Sequence, residues 1–370
     1  MKFVVSTKPL TDALNLGIVN QNVSKFYQKS CLAQLTADRR TLRINLEASY
    51  VLSEILLRGS GDSDDVHTIF VDCLLLKQLV STFEANTTTL EFTEGGLILH
   101  SGKSKFTLPM MIEGSELELA SPGKSDASSE VIDIDKSDWK FIKEYQMYAI
   151  AMSFIHPVYT RVWVGQSGDV VVGDFDNSLF THSKKSKLGR TCLLSDTIIN
   201  LFNSLPEGAK LTKLDTSYLI NVKTDGFEYC SQFTPQYETD EGVGSYNSEI
   251  ILGMMETDDS VAVKINSAAI NKFLNQAALL SSNTEDVIKL FVSDNNLCLK
   301  DNNVDCKLPL DSAAAFEYEV EFKTSLLKSV VSNFDEDEIS IAPMVQEDET
   351  VGIILWTKNM TTVLAGVDDN

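Results

Sequence analysis

Four histidines, His67, His100, His156 and His182, stand alone in this 370-residue sequence. None belongs to an H-E-x-x-H pair or to a Cys/His spacing of the kind that holds zinc. No G-x-S-x-G elbow presents a serine nucleophile, and no G-x-x-x-x-G-K-[ST] loop cradles phosphate. The acid run Asp335–Glu336–Asp337–Glu338 sits where a helical pattern gives way to a strand pattern, and reads as a solvated turn. Asp133 and Asp135 flank a strand end, where Asp135 has the place of a helix cap. The six cysteines, Cys31, Cys73, Cys192, Cys230, Cys298 and Cys306, are far apart and mostly on apolar faces. Reduced, buried thiols in a cytoplasm follow from that spacing. The sequence therefore predicts no catalytic residue, no metal and no cofactor.

The chemistry left is that of cations. The formal net charge is −22, and residues 247–370 hold 22 acidic against 8 basic side chains. Such a chain repels nucleic acid over most of its surface, so any contact with DNA must come from cations gathered on one face. Lys77 and Lys328 hold equivalent places on two helical patterns, on the face away from the apolar stripe. Lys136, Lys140 and Lys143 recur at helical spacing, Lys272 lies on a corresponding helix, and Lys25 and Lys29 follow the first helix. The run Lys184, Lys185, Lys187 and Arg190 is the densest basic cluster. Each lysine alone fits a solvated face. Collected on helices of an acidic chain, they fit a surface that holds phosphate without reading bases.

These cations need positioning, and the apolar pattern supplies the frame. Thr68–Met110 reads as a strand, a helix with Leu75, Leu76, Leu79, Val80 and Phe83 on one stripe, and two strands joined at Glu94–Gly95–Gly96. The same pattern returns at Thr191–Phe233 and at Glu319–Val367. Each copy is preceded by another strand and helix: about Leu10–Val19 with Leu10, Ala13, Leu14 and Ile18 inward, from about Asp135 with Trp139, Ile142 and Tyr145, and Ser267–Leu280 with Ile270, Phe273, Leu274 and Ala277. The expected fold is α+β, with three modules at residues 1–122, 123–247 and 248–370. Each carries two helices on about eight antiparallel strands, and the three form an arc with sheets outside and helices inside. Ser121–Glu130 and Glu238–Ser248 read as linkers, and Gly59–Asp65 as a mobile acidic tip. No apolar run reaches about 18 residues, so no membrane span is expected. An arc leaves sheet edges at both ends, which a second copy can pair.

The three-fold repeat, the opening M-K-F and the lysine-bearing helices resemble the bacterial-type DNA sliding clamp, the β subunit of DNA polymerase III. L-T-A-D-R-R-T-L-R-I and S-G-K-S-K-F-T-L fall where that family has comparable strands. The resemblance implies a head-to-tail homodimeric ring that encircles double-stranded DNA, tethers a DNA polymerase and is opened by a clamp loader. It places Phe106 and Leu108 at the dimer seam, facing Leu279 and Leu280, with Lys103 and Lys105 meeting Asp301 and Asp305. It places a partner-peptide pocket at Tyr159, Asp174, Asn177, Leu179, Pro235, Val363, Ala365, Gly366 and Val367. The family's G-H-R-L turn reads Asp176–Asn177–Ser178–Leu179 here, its C-terminal M-P-M reads Ala365–Gly366–Val367, and two helix arginines fall at Ser81 and Asn203. The rivals are a clamp-fold platform that recruits transcription or host proteins, a structural ring without DNA, and a carboxylate hydrolase. The last needs two acids facing one cleft, which the repeat does not supply.

Overall fold

Alternating apolar and polar side chains build most of this molecule. The computed structural model describes residues 1–18, 32–48, 51–111, 118–125, 129–133, 162–165, 167–174, 178–182, 185–188, 192–235, 253, 255–280, 287–300, 305–310, 318–332, 334, 336–346 and 349–367. Strand β1 (Lys2–Ser6) leads into helix α1 (Thr7–Gly17), and β2 (Leu32–Ala37), β3 (Thr41–Ala48) and β4 (Val51–Arg58) follow. After the two-residue β5 (Ser60–Gly61), β6 (His67–Asp72) leads into α2 (Cys73–Ser81), then β7 (Thr87–Thr93), β8 (Gly96–Ser101) and β9 (Ser104–Pro109). The order recurs. β10 (Val131–Asp133) precedes β11 (Val162–Val164), β12 (Val170–Asp174) and β13 (Ser178–His182). The helix expected from Asp135, with Trp139, Ile142 and Tyr145, lies outside the described residues. β14 (Cys192–Leu194) leads into α3 (Asp196–Ser204), then β15 (Lys210–Lys213), β16 (Tyr218–Lys223) and β17 (Phe227–Phe233). β18 (Val263–Asn266) leads into α4 (Ser267–Leu280), β19 (Val287–Ser293), β20 (Asn296–Lys300) and β21 (Asp305–Pro309). Last, β22 (Glu319–Lys323) leads into α5 (Thr324–Val331), β23 (Glu338–Gln346), β24 (Glu349–Trp356) and β25 (Met360–Ala365).

The chain packs as two compact units, residues 1–143 with 194–236, and residues 144–193 with 237–370. The first unit holds sheet I, ordered β5-β1-β7-β8-β9, and sheet II, ordered β10-β15-β16-β17-β4-β3-β2-β6. The second holds sheet III, ordered β14-β11-β12-β13-β25-β24-β23-β18, and sheet IV, ordered β21-β20-β19-β22. The strand that leads into one helix of a module pairs with the strand that follows the other helix: β1 with β7, β6 with β2, β18 with β23, β22 with β19. This exchange ties the two halves of a repeat together.

Sheets II and III are each two four-stranded halves joined edge to edge. In sheet II, β17 meets β4 antiparallel, with Phe227, Tyr229, Ser231 and Phe233 opposite Leu57, Ile55, Ser53 and Val51. These are core-facing residues on both sides, and a buried Ser53 hydroxyl meets Tyr229 Oη at 3.3 Å and Ser231 Oγ at 3.1 Å. Burial pushes the Tyr229 phenol up to about 12. α1 lies against both β4 and β17, so it braces the joint. In sheet III, β13 meets β25 the same way, with Leu179 opposite Val363.

Two helices differ from expectation. α1 starts at Thr7, not about Leu10, because Pro9 falls in the first turn, where its missing N–H has no helical partner to lose. In α2 the buried residues are Cys73, Leu76 and Val80, and Leu75 is 40% exposed. The stripe therefore runs i, i+3, i+7 from Cys73, and Lys77 sits at its edge. α4 spans Ser267–Leu280 as predicted. The tip at Gly59–Asp65 is also held: β5 pairs with β1, Asp62 accepts the Lys2 N–H at 2.7 Å, and Arg39 Nη1 reaches Asp64 at 3.0 Å. No described helix is long and apolar enough to cross a membrane.

Candidate nucleic-acid and partner interfaces

The helical lysines occupy different surroundings. Lys77 Nζ donates to the Ile18 carbonyl at 2.8 Å, where α1 has just ended, so this cation caps a neighbouring helix. Burial holds its pKa below the usual lysine value. The predicted placement of Lys77 on the outer face is thus corrected, because the helix phase brings it toward α1. Lys272 is exposed on α4, and Lys328 is half-buried in the last turn of α5, where a cation suits the helix end. Lys185 pairs with Asp169, whose carboxyl burial pushes up while hydrogen bonds from Lys185 and Ser167 outweigh it and hold it low. Lys187 is exposed. Lys25, Lys29, Lys136, Lys140, Lys143, Lys184 and Arg190 lie outside the described residues.

Among the described residues, sheets I and IV end in strands with no further neighbour, β9 and β21. On β9, Phe106 and Leu108 pair with core-facing Leu99 and Leu97, and Phe106 is half-buried, stacked on Phe83 at 5.4 Å between ring centroids. Lys103 and Lys105 beside them are exposed. On β21, Cys306 and Leu308 pair with buried Leu299 and Leu297 and remain half-exposed, while Asp305 and Lys307 face outward and are exposed. α4 packs on β21 as α1 packs on β4. Beyond β21, however, no strand pairs among the described residues, and Leu279 on α4 is 84% exposed. The side chain of Leu280 and the whole of Asp301 lie outside the described residues. Sequence reasoning missed Cys306 and Leu308, although the alternation in D-C-K-L-P signals an inward pair.

The expected pocket residues converge only in part. Leu179 of β13 lies opposite Val363 of β25, and Asp174 closes the β12–β13 hairpin opposite Ser178. Val363 is buried against Trp163, Val171, Leu193 and Met255, with Met344 and Ile354 packed on the same cluster. Gly366 donates its N–H to Val351 at 2.8 Å, and a Cβ there would meet Val320 Cγ1 at 2.6 Å, so this close approach requires glycine. Val367 N–H reaches the Glu321 carbonyl at 2.8 Å, and Ala365 pairs with Gly352. Pro235 is buried in the first unit, and Tyr159 and Asn177 lie outside the described residues. Trp163, Met255, Met344 and Ile354 were not singled out from sequence, since nothing local marks which face of a strand will be partly covered. Among the described residues no group of three or more His, Cys, Asp or Glu side chains could hold a metal ion.

The arrangement of four sheets and paired helices is the fold of the bacterial DNA sliding clamps. The chain is similar to DNA polymerase III beta subunit of Thermotoga maritima, with 12% identity and TM-score 0.74, covering 100% of both chains. It is similar to the DNA polymerase sliding clamp of Caulobacter crescentus, with 14% identity and TM-score 0.73 over 100% of both chains. The Helicobacter pylori beta clamp bound to a DNA ligase peptide matches at 14% identity and TM-score 0.68, again over 100% of both chains. No protein-family model matches the sequence, and no curated protein matches it.

Proposed function

We propose that this chain is a DNA sliding clamp, a processivity factor and not an enzyme. Two copies close head to tail into a ring that encircles duplex DNA and tethers a replicative polymerase, and a clamp loader opens it. Modules at residues 1–122, 123–247 and 248–370 make each half-ring.

One observation carries the reading beyond fold likeness. Sheets II and III are each built from two four-stranded halves, whereas sheets I and IV are single halves with open edges at β9 and β21. Pairing β9 of one copy with β21 of another makes a third sheet of the same construction and removes both edges. The exposed Leu279 on α4 then gains the cover that α1 already has across β4 and β17. Core faces align when Phe106 comes opposite Leu308 of the second copy and Leu108 opposite Cys306, as core faces align at β17–β4. The peptide-bound Helicobacter pylori structure supports a peptide groove on this fold.

Sedimentation with low-resolution particle images tests the proposal. Wild type should run as a dimer and image as a closed ring, and Leu308→Asp should give monomers, since it buries a charge in the seam. A monomeric wild type without rings would count against it. The recruitment alternative differs by its readout, because only a replication clamp stimulates a DNA polymerase on long templates.

A further inference from the structure

A hollow of about 390 Å³ opens on sheet II, at the end of the joint where β4 stops and β17 begins. It lies wholly within the first unit, and its volume is that of a small-molecule site. Alternation along β4 turns Leu56 and Arg58 away from the face that buries Ile55 and Leu57. The register sets Glu228 beside Leu56, Lys223 beside Glu228 and Thr41 beside Arg58. The turn between Lys223 and Phe227 closes the hollow, and it is held in place. Thr224 Oγ1 accepts the Phe227 N–H at 3.1 Å and the Gly226 N–H at 3.3 Å. A Cβ on Gly226 would meet Pro9 Cγ at 2.6 Å, so the same turn is seated on the first turn of α1. The hollow is thereby formed before any ligand arrives.

Its charges are only half compensated. Lys223 holds Glu228 at 2.6 Å, and that bond, with Arg58 nearby, keeps the Glu228 carboxyl below the usual glutamate range. Arg58 and Asp225, the other two charges of the lining, are exposed. Neither forms a salt bridge among the described residues, with the other or with any third group. One unpaired cation and one unpaired carboxylate thus border a hollow whose remaining wall, Leu56, Leu57 and Phe227, is apolar. Thr41 is no competing donor, because its hydroxyl is given to Asp38 at 2.7 Å.

We propose that this hollow binds a free α-amino acid with an apolar side chain. The ligand's carboxylate pairs with the Arg58 guanidinium, its ammonium with Asp225, and its side chain lies against Leu56 and Phe227. The interior of a peptide lacks both charges, and a simple ion lacks the apolar body, so the three features together select this class. The site stands whether or not the chain is a clamp.

Ligand-observed NMR titrations of the full-length chain test it, with phenylalanine, N-acetylphenylalanine, phenylalaninamide and alanine as probes. A net charge of −22 by itself favours the cationic phenylalaninamide, so any advantage of the zwitterion over it reports a local cation. Phenylalanine should bind about five-fold more tightly than either derivative at low salt, and about ten-fold more tightly than alanine. Arg58→Gln should erase the advantage over phenylalaninamide and keep the one over N-acetylphenylalanine. Asp225→Asn should do the reverse. Both positions are exposed, so the unfolding midpoints of the two variants should match wild type. Phenylalaninamide or N-acetylphenylalanine binding wild type as tightly as phenylalanine overturns the proposal. So does alanine matching phenylalanine, or either advantage surviving the substitution that should erase it.

Discussion

Lys77 shows how a residue read correctly as a helix cation can have the wrong address. Its spacing along Cys73–Ser81 is helical, and the leucine run suggests an apolar stripe through Leu75. The burial of Cys73, Leu76 and Val80 instead places position i+4, Lys77, at the stripe's edge. The deciding partner is the Ile18 carbonyl, 59 residues away, which no local pattern reveals. We expect Lys77→Met to destabilise the protein by about 1–2 kcal/mol, because it leaves a helix-end carbonyl without its charged donor. Lys272→Ala, at an exposed site on α4, should leave stability within about 0.5 kcal/mol. Urea unfolding midpoints check both. The reverse ranking would mean that the Ile18 contact contributes nothing.

At the scale of elements, β1, β2, β4, β7, β17, β18, β19 and β22 were legible because alternation survives on them, and Ser267–Leu280 because its apolar positions recur at helical spacing, whereas β11 and β14 are buried throughout. α1 was misplaced by its proline, which breaks a helix interior but not a first turn. What the sequence could not show is pairing between distant strands. The exchange of β1 to β7 and β2 to β6 depends on residues more than one element apart, as does the status of β9 and β21 as edges. Phe106 and Leu108 were assigned to a seam by resemblance, and Leu308 and Cys306, the partners proposed for them, emerge only from the register of β20 with β21. That register gives a sharp test. Leu108→Cys should form a disulfide with Cys306 of a second copy under mild oxidation, since directly opposed strand positions lie within disulfide reach. Thr107→Cys, one residue away and on the other face, should not. Non-reducing electrophoresis reads the difference, and equal crosslinking by both variants would rule out this pairing.

For the whole molecule, the proposed clamp raises the question of how it would hold DNA, and charge argues against simple affinity. The formal net charge is −22, Lys77 is spent on a carbonyl and Lys185 on Asp169. If direct phosphate contact were the whole of binding, log affinity for linear duplex would fall with log salt at a slope of about −0.9 per phosphate neutralised. On a chain of net charge −22, that affinity starts low. The closed ring proposed above is different, because leaving circular DNA would require a seam to open, and the proposed seam is an apolar strand pairing that salt would not weaken. We therefore expect weak, salt-sensitive binding to short linear duplex, alongside retention on loaded circular duplex that survives moderate salt. Replacing Lys140, Lys272 and Lys328 with alanine should flatten the salt slope on linear DNA and leave circular retention largely intact. Linearising the circle with a restriction enzyme should release the protein at once. Gel filtration of loaded plasmid, cut and uncut, at two salt concentrations separates the outcomes. Equal loss from both forms as salt rises would show an open basic patch and no ring.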